Sequence, residues 1–328
     1  MNILFCSAGR RCELLKDFKK TLDGNVKIVV TELSKFAPAL NFADKAYIVP
    51  KINDENYMNV ILDICKKEEI NAITTLIDPE IEILAANRDK FESIGVEVLA
   101  PYKETAELCF DKYKMFKYLK ENDINTVNTY GCLDDFEKDY ENNKIIFPVF
   151  VKPRNGSGSV GARKINDIST LKDAIKEDES LIIQEYMGDA VDLDADVYVD
   201  TISHNPVAIF SKKKISTTIG GANKTISFKD EKLFEFIKKA ISKFKFNGPI
   251  DMDFFYKDGK YYLSEINPRF GGAYLHAYGA GVDFVELINN NINGKENEQA
   301  FGNYEEDIVM MMYDSVVIKS VKDLDNNF

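Results

Sequence analysis

Over roughly the first third of this chain, short apolar runs alternate with segments of helical period, and that alternation limits what it can fold into. Ile3-Leu4-Phe5 reads as a short buried strand, Ser7-Ala8-Gly9 as a turn, and Arg11 to Lys20 as a helix with Leu14, Leu15 and Phe18 on one face. Val26 to Val30, Ala72 to Leu76 and Val96 to Leu99 read as further strands. Asn56 to Lys67 and Ile81 to Phe91 read as the helices between them. Strands separated by helices imply a parallel sheet with helices on its faces. Glu32, at the end of the second strand, stands where a ribose-binding acid would in a dinucleotide fold. The first turn, however, holds only Gly9, and the glycines that admit a pyrophosphate are missing. The expectation is a Rossmann-like scaffold with a substrate-facing edge.

The rest of the chain follows a different pattern. Pro101 ends the alternation, and a helical run is expected from Lys103 to about Asn122. A Gly-rich loop between strands, a helix and another strand carry the chain to about residue 190. Strands are then expected at Asp192–Asp200, Val207–Lys212, Ile250–Tyr256 and Tyr261–Ile266, with a helix at Glu231–Phe244. Lys257-Asp258-Gly259-Lys260 is a hairpin turn, so the last two strands should be antiparallel. Asn289 to Asn303 is polar and reads as a loop.

Composition removes several function classes. With 328 residues, 45% of them hydrophobic, the chain can bury cores for two or three units. The net charge is −12 and the longest basic run is Lys212-Lys213-Lys214, which argues against a nucleic-acid partner. The five cysteines form no CxxC pair, and the only histidines are His204 and His276, so thiol catalysis is not expected. No stretch approaches ~20 apolar residues, which argues against a membrane partner. The opening Met1–Phe5 run is too short for a secretory signal, and a cytoplasmic location is expected.

Three segments carry chemistry. The first is Leu263-Ser264-Glu265-Ile266-Asn267-Pro268-Arg269-Phe270-Gly271-Gly272. Residues two apart on a strand share a face, so Glu265 and Asn267 project together. A carboxylate and an amide oxygen are hard ligands that suit Mg²⁺. Pro268 ends the strand, Arg269 leaves it where a guanidinium can clamp a phosphoryl group, and Gly271-Gly272 permits close backbone approach. Asp251 and Asp253 share a face across the hairpin, and one of them could complete the metal site. A solvated edge strand would not account for acid, amide, proline, arginine and two glycines in this order.

The second segment delivers Lys152 from the strand Phe147–Lys152 into the loop Arg154-Asn155-Gly156-Ser157-Gly158-Ser159-Val160-Gly161. Such a loop can present backbone N–H groups and hydroxyls to phosphates, and Lys152 adds a point charge. It is not a Walker A loop, because the lysine precedes the glycines. The third segment, Leu181-Ile182-Ile183-Gln184-Glu185-Tyr186-Met187-Gly188, is an apolar strand ending where backbone groups can read an adenine edge.

These three segments, in this order and spacing, resemble the ATP-grasp superfamily, and within it the carbamoyl-phosphate-synthase-like ligases, including the pyrrolysine-biosynthesis ligase. The resemblance extends over nearly the whole chain. Ile3–Arg11, Ala37-Pro38-Ala39-Leu40 with Ala43-Asp44, and Asp78-Pro79-Glu80 are similar to that group's N-terminal domain, and Asp111-Lys112 to the helix start that follows. The implied fold is α/β: an N-terminal Rossmann-like parallel-sheet domain at 1–100, a lid or nucleotide-binding subdomain at 101–190, and a C-terminal subdomain with the metal site at 191–328.

The resemblance also implies roles. Lys112 and Lys152 would contact ATP phosphates, and Gly156, Ser157, Gly158, Ser159 and Gly161 would fold over them. Glu185, Tyr186 and Met187 would hold adenine, and Asp192 the ribose, where relatives usually carry Glu. Asp253, Glu265 and Asn267 would bind two Mg²⁺ ions, with Mn²⁺ as a substitute. Arg269 would stabilise the transferred phosphate. Lys214 would supply a further cation from the strand ending Lys212-Lys213-Lys214, where arginine is common. The implied reaction joins a small-molecule carboxylate to an amine through an acyl phosphate, in a chain that could act as a homodimer. A phosphotransferase that stops at a phosphorylated product, and a nucleotide-responsive binding module, are the alternatives.

Overall fold

A computed structural model describes residues 1–156, 161–218 and 221–325. Five parallel strands form the first sheet: β1 (Asn2–Cys6), β2 (Lys27–Glu32), β3 (Lys45–Ile48), β4 (Ala72–Thr75) and β5 (Glu97–Val98), in the order β3-β2-β1-β4-β5. Its strands read as continuous apolar runs because both faces are covered. Ile3, Phe5 and Val30 pack with Leu14 and Phe18 in one core; Leu4, Cys6 and Val29 pack with Tyr57, Ile61 and Leu84 in another. The strand order reverses between β1 and β4. A crevice therefore opens at their carboxyl ends, where Ser7, Asp78 and Glu80 stand.

The second sheet is antiparallel. It consists of β6 (Thr129–Tyr130), β7 (Val149–Pro153), β8 (Arg163–Ile165) and β9 (Leu181–Glu185), ordered β6-β9-β7-β8. Lys152 lies on β7, and the glycine loop joins β7 to β8. The third sheet runs β14-β13-β10-β11-β12-β16, with β15 paired parallel to β11. Its strands are β10 (Val191–Val199), β11 (Pro206–Thr218), β12 (Gly221–Phe228), β13 (Gly248–Lys257), β14 (Lys260–Asn267), β15 (Ala300–Phe301) and β16 (Val309–Met311). The helix Glu231–Ile241 covers one face, where Phe236 meets Phe254 on β13. Asp258 and Gly259 both adopt positive φ, 51° and 75°, in the tight turn that makes β13 and β14 antiparallel.

Several sequence expectations change. The helix expected at Ile81–Phe91 is two, Asp78–Ala86 and Arg88–Glu92, divided at Asn87. The run from Lys103 to Asn122 divides at Asp111, whose carboxylate caps Lys112–Glu121 by accepting from Tyr113 N and Lys114 N at 3.1 and 3.0 Å. Asn289–Asn303 is not all loop: the helix Phe284–Ile292 enters it and β15 lies within it. Neither β3 nor β12 was expected. The inward residues of β12 include Thr225 and Ser227, so its buried face lacks the apolar alternation that reveals a strand.

Candidate active site

The face of the third sheet opposite the helix Glu231–Ile241 carries a lattice of charge. Alternation places Asp192, Asp194 and Asp196 on it from β10, Lys212 and Lys214 from β11, Asp251 and Asp253 from β13, and Glu265 and Asn267 from β14. Register aligns them in rows. Glu265, Asp253, Asp194 and Lys212 form one; Asn267, Asp251 and Asp196 form the next.

Charge is matched locally across these rows. The Lys214 ammonium bonds Asp253 and lies 3.1 Å from Asp192. Burial lowers the Lys214 pKa, but Asp253, Asp194 and Asp192 outweigh it and hold the group well above the ordinary lysine value. Burial raises Asp253 in turn, and Lys214 pulls it below the usual carboxylate range. Two further cations arrive from outside the sheet. Lys112, first residue of its helix, and Lys152, from β7, each place Nζ 3.8 Å from a Glu265 oxygen. Burial depresses Lys152. Lys112 also donates to the Gly156 carbonyl, tying the helix to the start of the glycine loop. Arg154 grips Asp111 with a two-pronged contact of 2.8 and 2.7 Å, which anchors the same loop.

Deeper in the lattice the sheet meets the N-terminal domain. Arg269 places Nε 3.0 Å from Asp78 Oδ1 and Nη1 3.5 Å from Asp251 Oδ2. Arg11 donates to the carbonyls of Gly271 and Phe270 at 2.8 and 3.4 Å. Burial and the neighbouring Arg269 lower Arg11 to about 10. Gly271 is required here, since a Cβ would lie 2.7 Å from both Asp196 Oδ1 and Asp251 Oδ1. Those two oxygens are buried and have no hydrogen-bond partner among the described residues. Burial pushes Asp196 up to about 6 and Asp251 well above the carboxylate range.

One carboxylate oxygen from each of Asp194, Asp196 and Asp251 lies within 4.8 Å of the others, an acid cluster that could attract a metal. The Lys212 ammonium already sits there, bonded to Asp196 and 3.1 Å from Asp194. The set Asp253, Glu265 and Asn267 is a second candidate, also paired with lysines: Lys214 on Asp253, and Lys112 and Lys152 near Glu265. Asp253 and Glu265 are direct cross-strand partners, and Asn267 Nδ2 is 3.3 Å from Asp253 Oδ2. Asp253 and Glu265 carry hard carboxylate oxygens of the kind that suit Mg²⁺, and Asn267 turns its amide nitrogen toward Asp253 and Asp251.

The predicted residues thus fall in groups. Lys112, Lys152 and Glu265 converge, as do Asp192, Lys214 and Asp253, and Asn267 joins the second group. Gly156 and Gly161 flank the loop with positive φ, whereas Ser157, Gly158 and Ser159 lie outside the described residues. Glu185 is exposed at the end of β9, Tyr186 lies under Lys164, and Met187 is buried. No hydrogen bond or ion pair among the described residues joins these three to the charged face. The initial reading gave no site role to Arg11, Asp194, Asp196 or Asp78. The period-two acids of Asp192-Leu193-Asp194-Ala195-Asp196, matched by Lys212 and Lys214, were the signal for two of them.

Comparison with known proteins agrees with this geometry. A family model described as "PylC-like, N-terminal domain" matches residues 3–99, and one described as "ATP-grasp domain" matches residues 109–273, half of the chain. The chain is 27% identical over 203 residues to a D-alanine–D-alanine ligase of Clostridium botulinum, covering 56% of this chain and 67% of that one. It is 24% identical over 282 residues to the carbamoyl phosphate synthase large chain of Pseudothermotoga lettingae, covering 80% of this chain and 24% of that one. The fold is similar to N5-carboxyaminoimidazole synthetase from Staphylococcus aureus, solved with ADP. The TM-score there is 0.74 at 18% identity, over 91% of this chain and 78% of that one. A five-stranded parallel sheet followed by two antiparallel sheets, with the ATP-grasp domain model matching half of the chain, places it in the ATP-grasp family.

Proposed function

We propose that this chain is an ATP-dependent ligase that joins a carboxylate to an amine and releases ADP and phosphate. The observation that carries the reading is the convergence of Lys112 and Lys152, each 3.8 Å from Glu265, beside the Lys214–Asp253 pair. Phosphate-binding cations and metal-binding acids thereby share one place, as transfer of a γ-phosphoryl group requires. We further propose that residues 1–100, 101–190 and 191–328 act as the three units of the enzyme, and that it works in the cytoplasm. Among the described residues no helix is long and apolar enough to cross a membrane.

In this reading Lys112, Lys152 and the Gly156–Gly161 loop hold the ATP phosphates. Glu185, Tyr186 and Met187 surround adenine, and Asp192 meets the ribose. Asp253, Glu265 and Asn267 would hold two Mg²⁺ ions, or Mn²⁺ in their place, and the bound metal would neutralise phosphate charge. A carboxylate oxygen attacks the γ-phosphorus, the bond to the β-phosphate oxygen breaks, and ADP leaves. Arg269 and Lys214 stabilise the charge on the moving phosphoryl group. The amine then attacks the acyl-phosphate carbonyl, the C–O bond to phosphate breaks, and the amine loses a proton. The alignment of two anions is the main task, which suits a site made of fixed cations.

The test is a screen of small carboxylates and amines for ADP release. Release of ADP and phosphate only when acid and amine are both present supports the ligase. Stoichiometric ADP from an acid alone, with a stable phosphorylated product, rejects it.

A further inference from the structure

The last edge of the third sheet is an apolar strand, and among the described residues no strand pairs beyond it. β16 pairs with β12 on one side, and its other side is open. Val309 and Met311, two apart on β16, are 44% and 66% exposed, and Tyr313, just beyond the strand, is 90% exposed. Beyond Met312, whose N–H reaches Asn223, residues 313–319 make no backbone hydrogen bond among the described residues. Val316 and Ile318 on this arm are 78% and 89% exposed. The arm's ion pair to the body, Arg10 to Asp314 at 3.8 Å, joins two almost fully exposed side chains and holds little. An open, uncharged edge strand is a template for another strand.

We propose that this edge and arm pair antiparallel with the same segment of a second copy, about a two-fold axis at Tyr313. The register follows from the sequence. Centring on Tyr313 sets Asp307 opposite Lys319, Ile308 opposite Ile318, Val309 opposite Val317 and Met310 opposite Val316. An ion pair then closes each end of an apolar seam, twice by symmetry. Centring on Asp314 sets that carboxylate against its own copy, and centring on Met312 leaves Asp307 opposite Val317. In the favoured register the arm of each copy lies along β16 of the other, so both gain the backbone partners that they lack alone. The inference is independent of the catalytic reading.

Three measurements on the full chain test it. Sedimentation equilibrium should give a dimer mass at micromolar concentration. With the exposed Cys132 changed to Ser, Tyr313→Cys should form a disulfide-linked dimer on mild oxidation, since the axis brings the two positions together. Lys319→Glu should weaken the dimer about tenfold by setting like charges opposite each other at both ends, and adding Asp307→Lys should restore it. All three positions lie outside the core, so each variant should keep the wild-type circular dichroism spectrum. A monomer at every concentration overturns the proposal. So does a dimer that fails to cross-link at 313, or one whose affinity ignores the charge reversal.

Discussion

Arg269→Lys probes both the architecture and the chemistry of the site. Arg269 spans two domains, with Asp78 Oδ1 at 3.0 Å on one side and Asp251 Oδ2 at 3.5 Å on the other. A lysine carries one charged centre and cannot hold both carboxylates in that geometry. The change keeps the charge and loses one buried charge-assisted contact, which costs about 1.5–3 kcal/mol of stability. If the same fork also holds two oxygens of the moving phosphoryl group, single-turnover ADP formation should fall by roughly 10- to 1,000-fold. ATP affinity should change little, because in the proposed site it would rest on Lys112, Lys152 and the glycine loop. Urea unfolding and single-turnover kinetics at saturating ATP separate the two effects. Asp78→Asn is the control: it leaves Arg269 in place but removes its orienting partner, so it should slow the reaction and spare the ATP KM. A destabilised Arg269→Lys enzyme that still turns over at the wild-type rate would show that Arg269 only ties the domains together.

Other perturbations follow from the same coordinates. Glu265→Gln should cut kcat by ~100-fold or more, since it removes the proposed metal ligand, which also collects Lys112 and Lys152; an unchanged rate at limiting Mg²⁺ rejects that role. Gly271→Ala should destabilise by about 1–3 kcal/mol, because its methyl group would overlap Asp196 and Asp251; an unchanged urea midpoint contradicts the packing. Asp17 is raised to about 7 by burial, with help from Glu13 and Asp283. A raised acid costs nothing below its unfolded pKa and destabilises progressively as pH climbs through its folded value. Asp17→Asn should therefore raise Tm near ~pH 8 and not near ~pH 4; equal shifts at both refute the burial argument.

Much of this arrangement was legible in the sequence, and the omissions have physical causes. The first sheet announced itself because strands buried on both faces read as uninterrupted apolar runs. Glu265, Asn267 and Arg269 were legible because a strand end, a proline and two glycines fixed their direction in space. Asp194 and Asp196 drew no role, and Lys212 was not told apart from Lys213 and Lys214, because a fully buried charge looks like a surface charge until its partners are known. Lys212 has no exposed surface, yet it lies in the most basic run of the chain. Arg11 caps the first helix and Asp78 begins the helix Asp78–Ala86, and only the packing of that domain against Phe270 and Gly271 brings them into the site. The break at Asp111 does not show in the helical period of Lys103–Asn122, because a single cap divides two helical segments; the resemblance at Asp111-Lys112 was the signal for it.

The most direct measurement follows an oxygen atom. With a carboxylate substrate labelled with oxygen-18 and its amine partner, attack by the carboxylate on ATP places one labelled oxygen between carbon and phosphorus. When the amine displaces phosphate, that C–O bond breaks and the label leaves with phosphorus. Mass spectrometry of the released phosphate should find one labelled oxygen for each amide formed. Amide and ADP produced with unlabelled phosphate would contradict the acyl-phosphate route, and with it the ligase mechanism drawn from this site.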